Sequence, residues 1–416
     1  MKIILKIIAV IIIELLVAFY FVHKWFEDYS VKMEGNTSLP ELSKSIPELQ
    51  SGEFNWPSWK GENNDNSVTF TELQTNWQNG LKKLWEIKYL CKGKKSVTWS
   101  CPVIKGNRLI VPGRHDDKDY VFCLNPENGT LLWYNSYEAP PGTSSYGEGP
   151  RATPLIDEDR VYTLSRGGLL HCYSLFDGKK IWGRDLVKLG GKIPIWGFAS
   201  SPFVYKDKLL VPVGESTLLV ALNKFNGDII WKTESGSISY STPTVFKDTI
   251  IYLGGKALYG FNPDDGKTLW QTPWVTSNDI NICTPVIVEK ENIIIISAWY
   301  KKGIEAVTVK EYDPQILWKN NNLEAHQTDP FVLDKYIYGY SGMSAHNKDD
   351  FKCLDLFTGE EKWSTTDFGS GQFIYIKPYF LSLDIKGNLY LIKFDSKGYE
   401  IISKINELIK IDNARA

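Results

Sequence analysis

Methionine and histidine are scarce in this chain, with three and five residues among 416. So few methionines leave little of the adaptable apolar surface that promiscuous binders use. His23, His115, His171, His326 and His346 are scattered, and none is spaced as a local metal site. There is no Cys-Cys pair, no CxxC and therefore no haem-attachment CxxCH among the six cysteines. A nucleophile elbow, a phosphate-cradling glycine loop and a zincin helix are also missing. Charge of one sign is missing too: 47 Lys and Arg stand against 49 Asp and Glu. A balanced chain lacks the basic surface that phosphate backbones require, so nucleic acid is not expected as a partner.

Long apolar runs are absent except at the start. Residues 1–22 are apolar apart from Lys2, Lys6 and Glu14. Counted from Ile3, the run gives about the 20 residues a bilayer needs. No small-x-small cleavage site follows it, which favours an uncleaved signal anchor over a removed leader. Positive charge ahead of the run keeps the amino end cytoplasmic and exports the rest. The expectation is a transmembrane helix over 1–25, a polar linker of low order over 26–53, a folded body over 54–405 and a short tail over 406–416. The body then lies on the periplasmic or extracellular side, tethered to the membrane by the N-terminal helix.

What the body does contain is aromatic residues, 13% of the chain, and a repeat. Leu222 to Trp231 reads LNKFNGDIIW. Near-copies run from Leu124 to Trp133, Tyr173 to Trp182, Phe261 to Trp270 and Leu354 to Trp363. A weaker copy, Val309 to Trp318, has Pro314 where the glycine should stand. Glycine tolerates the positive φ of such a turn, and the flanks alternate as half-buried strands do. A tryptophan closing each outer strand covers the seam against the next unit, so every unit needs its neighbour. A second signal is a small residue followed by proline at the head of an apolar strand: Cys101-Pro102, Thr153-Pro154, Ser201-Pro202, Thr242-Pro243, Thr284-Pro285 and Asp329-Pro330. Proline belongs at a strand's first residue or edge.

The pattern predicts an all-β chain, a single propeller of four-stranded antiparallel blades. Six units are plain, and a degenerate seventh over 371–402 has Ile402 in the tryptophan place. Seven blades are expected, with eight as the alternative if residues 54–90 build more of a blade. The segment from Leu81 to Ile87, with Trp85, is expected as a lone outer strand completing the last sheet.

The cysteines have a plain account as small residues. Cys123, Cys172 and Cys353 each lie ten before their tryptophan, where Ala221, Gly260 and Thr308 stand in other units. Cys91 with Cys101 is the pair to test for a disulfide in an exported protein. Asp116, Asp117 and Asp119 share a loop without the glycine and distal glutamate of a calcium loop, and read as a solvated turn.

Counting back from each repeat proline identifies residues that converge at one mouth of the channel. Six before it stand Ser96, Glu148, Trp196, Ser237, Asp279 and Glu324; Arg151 and Tyr240 lie three before, Asn281 and His326 four before. Glu148, Arg151, Trp196, Tyr240, Asp279, Asn281, Glu324 and His326 are the candidate ligand-binding residues. The expected site is an acidic rim with one arginine over aromatics, suited to a cation or to a polar, sugar-like or peptide-like group. The loops 133–154 and 182–202, long on this face, favour it as the working one.

The repeat resembles the pyrroloquinoline-quinone-type (PQQ-like) β-propeller repeat of the quinoprotein alcohol dehydrogenase-like superfamily. The opening Trp56-Pro57-Ser58-Trp59-Lys60-Gly61 is similar to the Trp-Pro-x-aromatic-Arg-Gly entry of exported propellers of that group, with Lys60 for arginine. Gly149 to Pro154 and Trp196 to Pro202 also look like that group, and the likeness covers roughly residues 54–405. The group holds quinone-dependent dehydrogenases and non-catalytic propellers of bacterial outer-membrane barrel assembly. For a dehydrogenase the resemblance implies a tryptophan floor, Ca²⁺ on acid and amide oxygens, a catalytic aspartate and often a disulfide between adjacent cysteines. Lacking that cysteine pair and a second domain, the chain is expected to be a non-catalytic, membrane-anchored binding or assembly scaffold of the cell envelope without a cofactor. The alternative is a PQQ-dependent oxidoreductase with Ca²⁺ near Glu148, Asp279 and Asn281.

Overall fold

The computed structural model describes residues 38–52, 55–69, 73–93, 96–140, 147–343 and 349–409. The apolar segment 1–25 and the start of the linker lie outside the described residues. Among those described, no helix is long and apolar enough to cross a membrane.

Among the described residues, seven antiparallel sheets follow one another, at 103–138, 155–185, 203–232, 244–273, 286–320, 331–365 and 371–405. Each is a meander of four strands whose first strand follows a repeat proline, except in the seventh. Its strands, Gly371–Ile376, Tyr379–Asp384, Leu389–Asp395 and Gly398–Ile405, form without that proline or a terminal tryptophan.

The repeat turn builds the seams. In the third sheet Gly227 sits at φ 74°. A Cβ there would meet the ring of Trp182, from the sheet before, at 2.7 Å. The glycine therefore serves both the turn and the close approach of the indole. The same indole donates Nε1–H to the carbonyl of Lys224 at 3.1 Å. The arrangement repeats around the molecule: Trp133 on Leu175, Trp231 on Pro263, Trp318 on Leu356 and Trp363 on Asp395, at 2.8–3.1 Å. Cys123, Cys172, Ala221, Gly260 and Cys353 each lie opposite their own sheet's tryptophan, which explains the small-residue slot. In the fifth sheet the slot is filled by Ala306 rather than Thr308. Its hairpin turns at Glu311 and Tyr312, with φ 49° and 66°, a two-residue turn without glycine. All six cysteines are free thiols, Cys91 and Cys101 among them.

Closure differs from the expected arrangement. Residues 81–87 form no strand, since the seventh sheet already has its own outer strand. Trp85 instead docks on the first sheet, donating to the Pro126 carbonyl at 2.8 Å over Gly129. It supplies the seam tryptophan that the seventh sheet lacks at Ile402. Ser67–Val68 adds a short parallel strand to Gly371–Ile376, and Ser403 Oγ donates to the Thr75 carbonyl at 2.5 Å. The segment before the first sheet thus touches both the last sheet and the first, and the seven sheets close as a β-propeller. The second half of the assigned linker is also placed: Ser43 bonds to Leu131, and Arg108 donates to the Pro47 carbonyl at 2.6 Å.

The small residues before the prolines form a hydrogen-bonded belt around the axis. The amide of Cys101 donates to Thr153 Oγ1, that of Thr153 to Ser201 Oγ, and that of Ser201 to Thr242 Oγ1, at 3.1–3.3 Å. The Thr284 amide donates to Asp329 Oδ1 at 2.8 Å. Proline holds the residue before it extended, which sets each of these groups at the same height. Trp56 pairs with Ile104, the Pro57 carbonyl accepts from Ile156, and Trp59 Nε1 donates to Asp329 Oδ2 at 3.1 Å. Ser58, Trp59 and Lys60 share a narrow cleft with Pro202, Thr242 and Thr284. The entry motif therefore plugs the channel between the inner strands.

Candidate functional site

The loops feeding the inner strands hold the mouth residues, and these fall into three groups. In the first, Glu148, Arg151, Trp196 and Tyr240 come together. Glu148 is buried, with Oε2 3.8 Å from the guanidinium of Arg166. Arg151 donates to the Gly147 carbonyl at 3.3 Å. Its pKa is pushed down to about 10 by burial and then by the like charge of Arg166. The Tyr240 hydroxyl accepts from the Trp196 amide at 3.3 Å, and burial pushes its pKa up to about 12.

In the second group, Asp279 accepts a short hydrogen bond from Ser237. Asn281, in the same loop, turns inward. It is fully buried, donates to the Gly254 carbonyl at 2.8 Å and accepts from Trp274 Nε1 at 3.1 Å. It ties the fourth sheet's loop together.

In the third group, Glu324 accepts from the Lys301 amide at 3.1 Å. His326 is buried against Trp299 and Tyr300, with ring centroids 5.7 and 5.4 Å away. Tyr300 and Lys301 hold φ of 69° and 59°, left-handed positions that side chains adopt at a cost. Counting from the prolines placed the loops correctly but not the duties of the side chains. Each of the acids has a protein group beside it: Ser237 at Asp279, the Lys301 amide at Glu324 and Arg166 at Glu148.

Counting missed a buried ionic network behind Glu148. Asp119, expected in a solvated turn, is fully buried and accepts from Arg114 at 2.8 Å, while Asp116 and Asp117 are exposed. Burial raises the Asp119 carboxyl to about 6, against the pull of Arg114. Arg166 lies in the turn between Arg160–Leu164 and Leu169–Ser174, which no count from a proline reaches. Their buried neighbours were the available signal, for Arg114 and Asp119 lie five apart across a hairpin.

Burial pushes the pKa of His326 and His171 down to about 4. Both are neutral in the fold at pH 7, whereas the unfolded chain takes up their protons near the usual 6.5. Stability from these groups is complete above pH 6.5 and is lost as pH falls toward 4, by about 1.4 kcal/mol per pH unit for each histidine. His326→Gln should reduce the slope of urea-unfolding free energy between pH 6.5 and 4.5 by one proton. Equal slopes in the two proteins would rule this out.

The same donor set is what a Ca²⁺ site of the kind that the resemblance implies would draw on. Asn281 is consumed by backbone carbonyls and an indole, Asp279 by a hydroxyl, and Glu148 faces a guanidinium. No group of three acidic, histidine or cysteine ligands suited to a metal occurs among the described residues. Placed in this way, Glu148, Asp279 and Asn281 do not fit Ca²⁺.

Among curated proteins, the chain is 27% identical over 143 residues to outer membrane protein assembly factor BamB of Shewanella oneidensis, covering 31% of this chain and 35% of that one. It is 25% identical over 187 residues to a tetrathionate hydrolase of Acidithiobacillus ferrooxidans, covering 41% and 36%. It thus spans little more than a third of the length of these relatives. With BamB of Yersinia pestis it shares 22% over 304 residues, 65% of this chain and 70% of that one. The crystal structure of BamB from Moraxella catarrhalis superposes with a TM-score of 0.54 at 16% identity, over 74% of this chain and 85% of that one. A europium-containing methanol dehydrogenase superposes at 0.59 and 12% identity, over 86% of each. Likeness at such identities extends to the fold, shared by binding proteins and enzymes alike. The family model described as outer membrane protein assembly factor BamB matches residues 117–365, the second to sixth sheets and the outer two strands of the first, and the chain belongs to that family of PQQ-like propellers.

Proposed function

We propose that this chain is a non-catalytic binding or assembly scaffold of the cell envelope, held to a membrane by its N-terminal apolar segment, that receives a protein partner at the propeller's mouth. The observation that carries this reading is the family match over residues 117–365. The donor set supports it, since acids that would serve Ca²⁺ are engaged elsewhere. The shape of the mouth supports the choice of face. The loop after the second sheet raises Ile193 and Ile195, 47% and 65% exposed, beside Trp196. Exposed apolar side chains on a long loop, rimmed by polar groups, suit contact with a protein.

A photo-activatable residue at Ile195 should give discrete protein adducts in cells of the native host. The same residue at Leu317, on the outer wall and 46% exposed, should not. Adducts from Leu317 alone, or from neither position, would overturn the choice of the mouth.

A further inference from the structure

The outer edge of the first sheet is covered by the chain's own amino-terminal segment. The Ser43 amide donates to the Leu131 carbonyl at 3.0 Å. Leu39 packs on the cluster that contains Leu131, and Ile46 on the one that contains Leu132. Arg108, fully buried, donates to the Pro47 carbonyl at 2.6 Å. Leu131 and Leu132 precede Trp133 at a bulge, where the outer strand slips register against Cys123 and Leu124. A bulge breaks the ladder and leaves edge groups for another segment to pair with. Residues 39–47 use them through one backbone bond, two apolar side chains and a cation.

The third sheet repeats that edge. Ile229 and Ile230 precede Trp231 at the same bulge, against Ala221 and Leu222. They are 46% and 39% exposed, where Leu131 and Leu132 are 2% and 3%. Lys208 opens its strand opposite Tyr205, as Arg108 does opposite Lys105. The neighbouring sheet does not account for the difference in burial, because Trp182 sits over Gly227 as Trp85 sits over Gly129. Among the described residues, what the third sheet lacks is the covering segment. Phe225, 43% exposed in the adjoining turn, widens the open surface.

Among the described residues, no other sheet combines the cation with the apolar pair. The second has Arg160 in the cation's place but Lys180 in the pair. The fifth has Ile316 and Leu317 for the pair but Ile293 for the cation. The fourth, sixth and seventh hold Thr249, Tyr336 and Tyr379 there. The likeness of the third sheet to the first ends just past the cation. Gly106 lets the Gln50 carbonyl pass where a Cβ would stand 1.8 Å from it, and Lys206 holds that place in the third sheet. A visiting segment therefore leaves the edge before its equivalent of Gln50.

We propose that the outer edge of the third sheet, at Ile229, Ile230 and Lys208, binds an extended segment of a partner polypeptide, paired as residues 39–47 pair with the first sheet. Adding a segment to an open edge takes affinity from the backbone and specificity from the side chains beside it. The chemistry follows from the covering segment. One apolar residue lies four before the amide that bonds the Ile229 carbonyl, another lies three after it, and the next carbonyl meets Lys208. A second copy of this chain is not the occupant, because its own residues 39–47 are engaged on its own first sheet. This contact is on the outer wall and does not depend on what the mouth binds.

The test uses the full chain in phospholipid nanodiscs, which keep detergent off the outer wall, and a fluorescent, C-terminally amidated peptide of residues 38–48. The intramolecular copy holds the first sheet, so added peptide reports on the third. Anisotropy should show one peptide bound per chain. Ile229→Glu should weaken binding about tenfold or more, because it sets a charge in the apolar contact. Ile316→Glu, an equal change on the fifth sheet, should leave binding unchanged. N-methylation of the peptide at Ser43, which removes the amide donor, should also weaken it about tenfold. Both substituted isoleucines are exposed, so folding is retained. Absence of saturation by about 1 mM peptide, binding that survives Ile229→Glu, or equal loss in Ile316→Glu would overturn the site. Undiminished binding of the N-methylated peptide would overturn the pairing. A dimer of the free chain that Ile229→Glu dissociates would place a second copy on the edge and overturn the partner segment.

Discussion

Trp231→Ala lowers the stability of the propeller by about 3–5 kcal/mol, the range for truncating a large buried aromatic. The side chain is 7% exposed and belongs to a cluster with Leu210, Ala221, Tyr252 and Phe261. Its ring lies against Gly266 of the fourth sheet, where a Cβ would come within 2.5 Å, and its Nε1 donates to the Pro263 carbonyl at 2.9 Å. One substitution therefore opens a cavity and removes a bond across a seam between sheets. Trp231→Phe keeps most of the ring and loses the N–H, at a cost of about 1 kcal/mol beyond its smaller volume. Trp363 makes the equivalent bond to Asp395 but is only half-buried, so Trp363→Ala should cost less. Urea melts followed by circular dichroism give the comparison. A loss below about 1 kcal/mol at Trp231, or equal losses at both sites, would show that the seams do not hold the ring together.

Those seams were legible in the sequence because they are local. The glycine, the turn and the tryptophan lie within ten residues, and one physical demand repeats in five of the copies, the fifth sheet turning without the glycine and the seventh ending without the tryptophan. The seven sheets follow from that repetition, and so do the small residues before the prolines, although their role as a belt needs three dimensions. Closure was not legible. Leu81 to Ile87 has the composition of an outer strand, yet which sheet a segment joins depends on partners hundreds of residues away. The seventh sheet's own Gly398–Ile405 takes that place and leaves only Trp85 to dock. The site was legible in part. Position in a repeat locates a loop, but Asn281 shows that it says nothing of whether a side chain turns outward or back onto Gly254. Arg166 escaped because its turn carries no proline from which to count.

The entry motif carries the other large expectation. Asp329 is 3% exposed and accepts from the Thr284 amide and from Trp59 Nε1. Burial raises its pKa, while the charge of Lys60, itself 5% exposed, pulls it down. Asp329→Ala strands the buried Thr284 amide and the part-buried Trp59 Nε1–H and removes a carboxylate whose charge Lys60 feels, at a cost of about 3–5 kcal/mol. Asp329→Asn keeps an acceptor for the Thr284 amide and should lose less. The same change should loosen the plug before it unfolds the sheets. The Ile104 and Ile156 amides, bonded to the carbonyls of Trp56 and Pro57 at 3.0 and 2.8 Å, are its reporters. In Asp329→Ala their hydrogen exchange should accelerate more than that of Ile250, buried in a central strand of the fourth sheet. If Ile104 and Ile156 keep their protection while stability drops, the aspartate serves the belt alone. If neither changes, the residues that close the circle hold without it, and the seam tryptophans, Trp85 among them, are sufficient to keep the propeller shut.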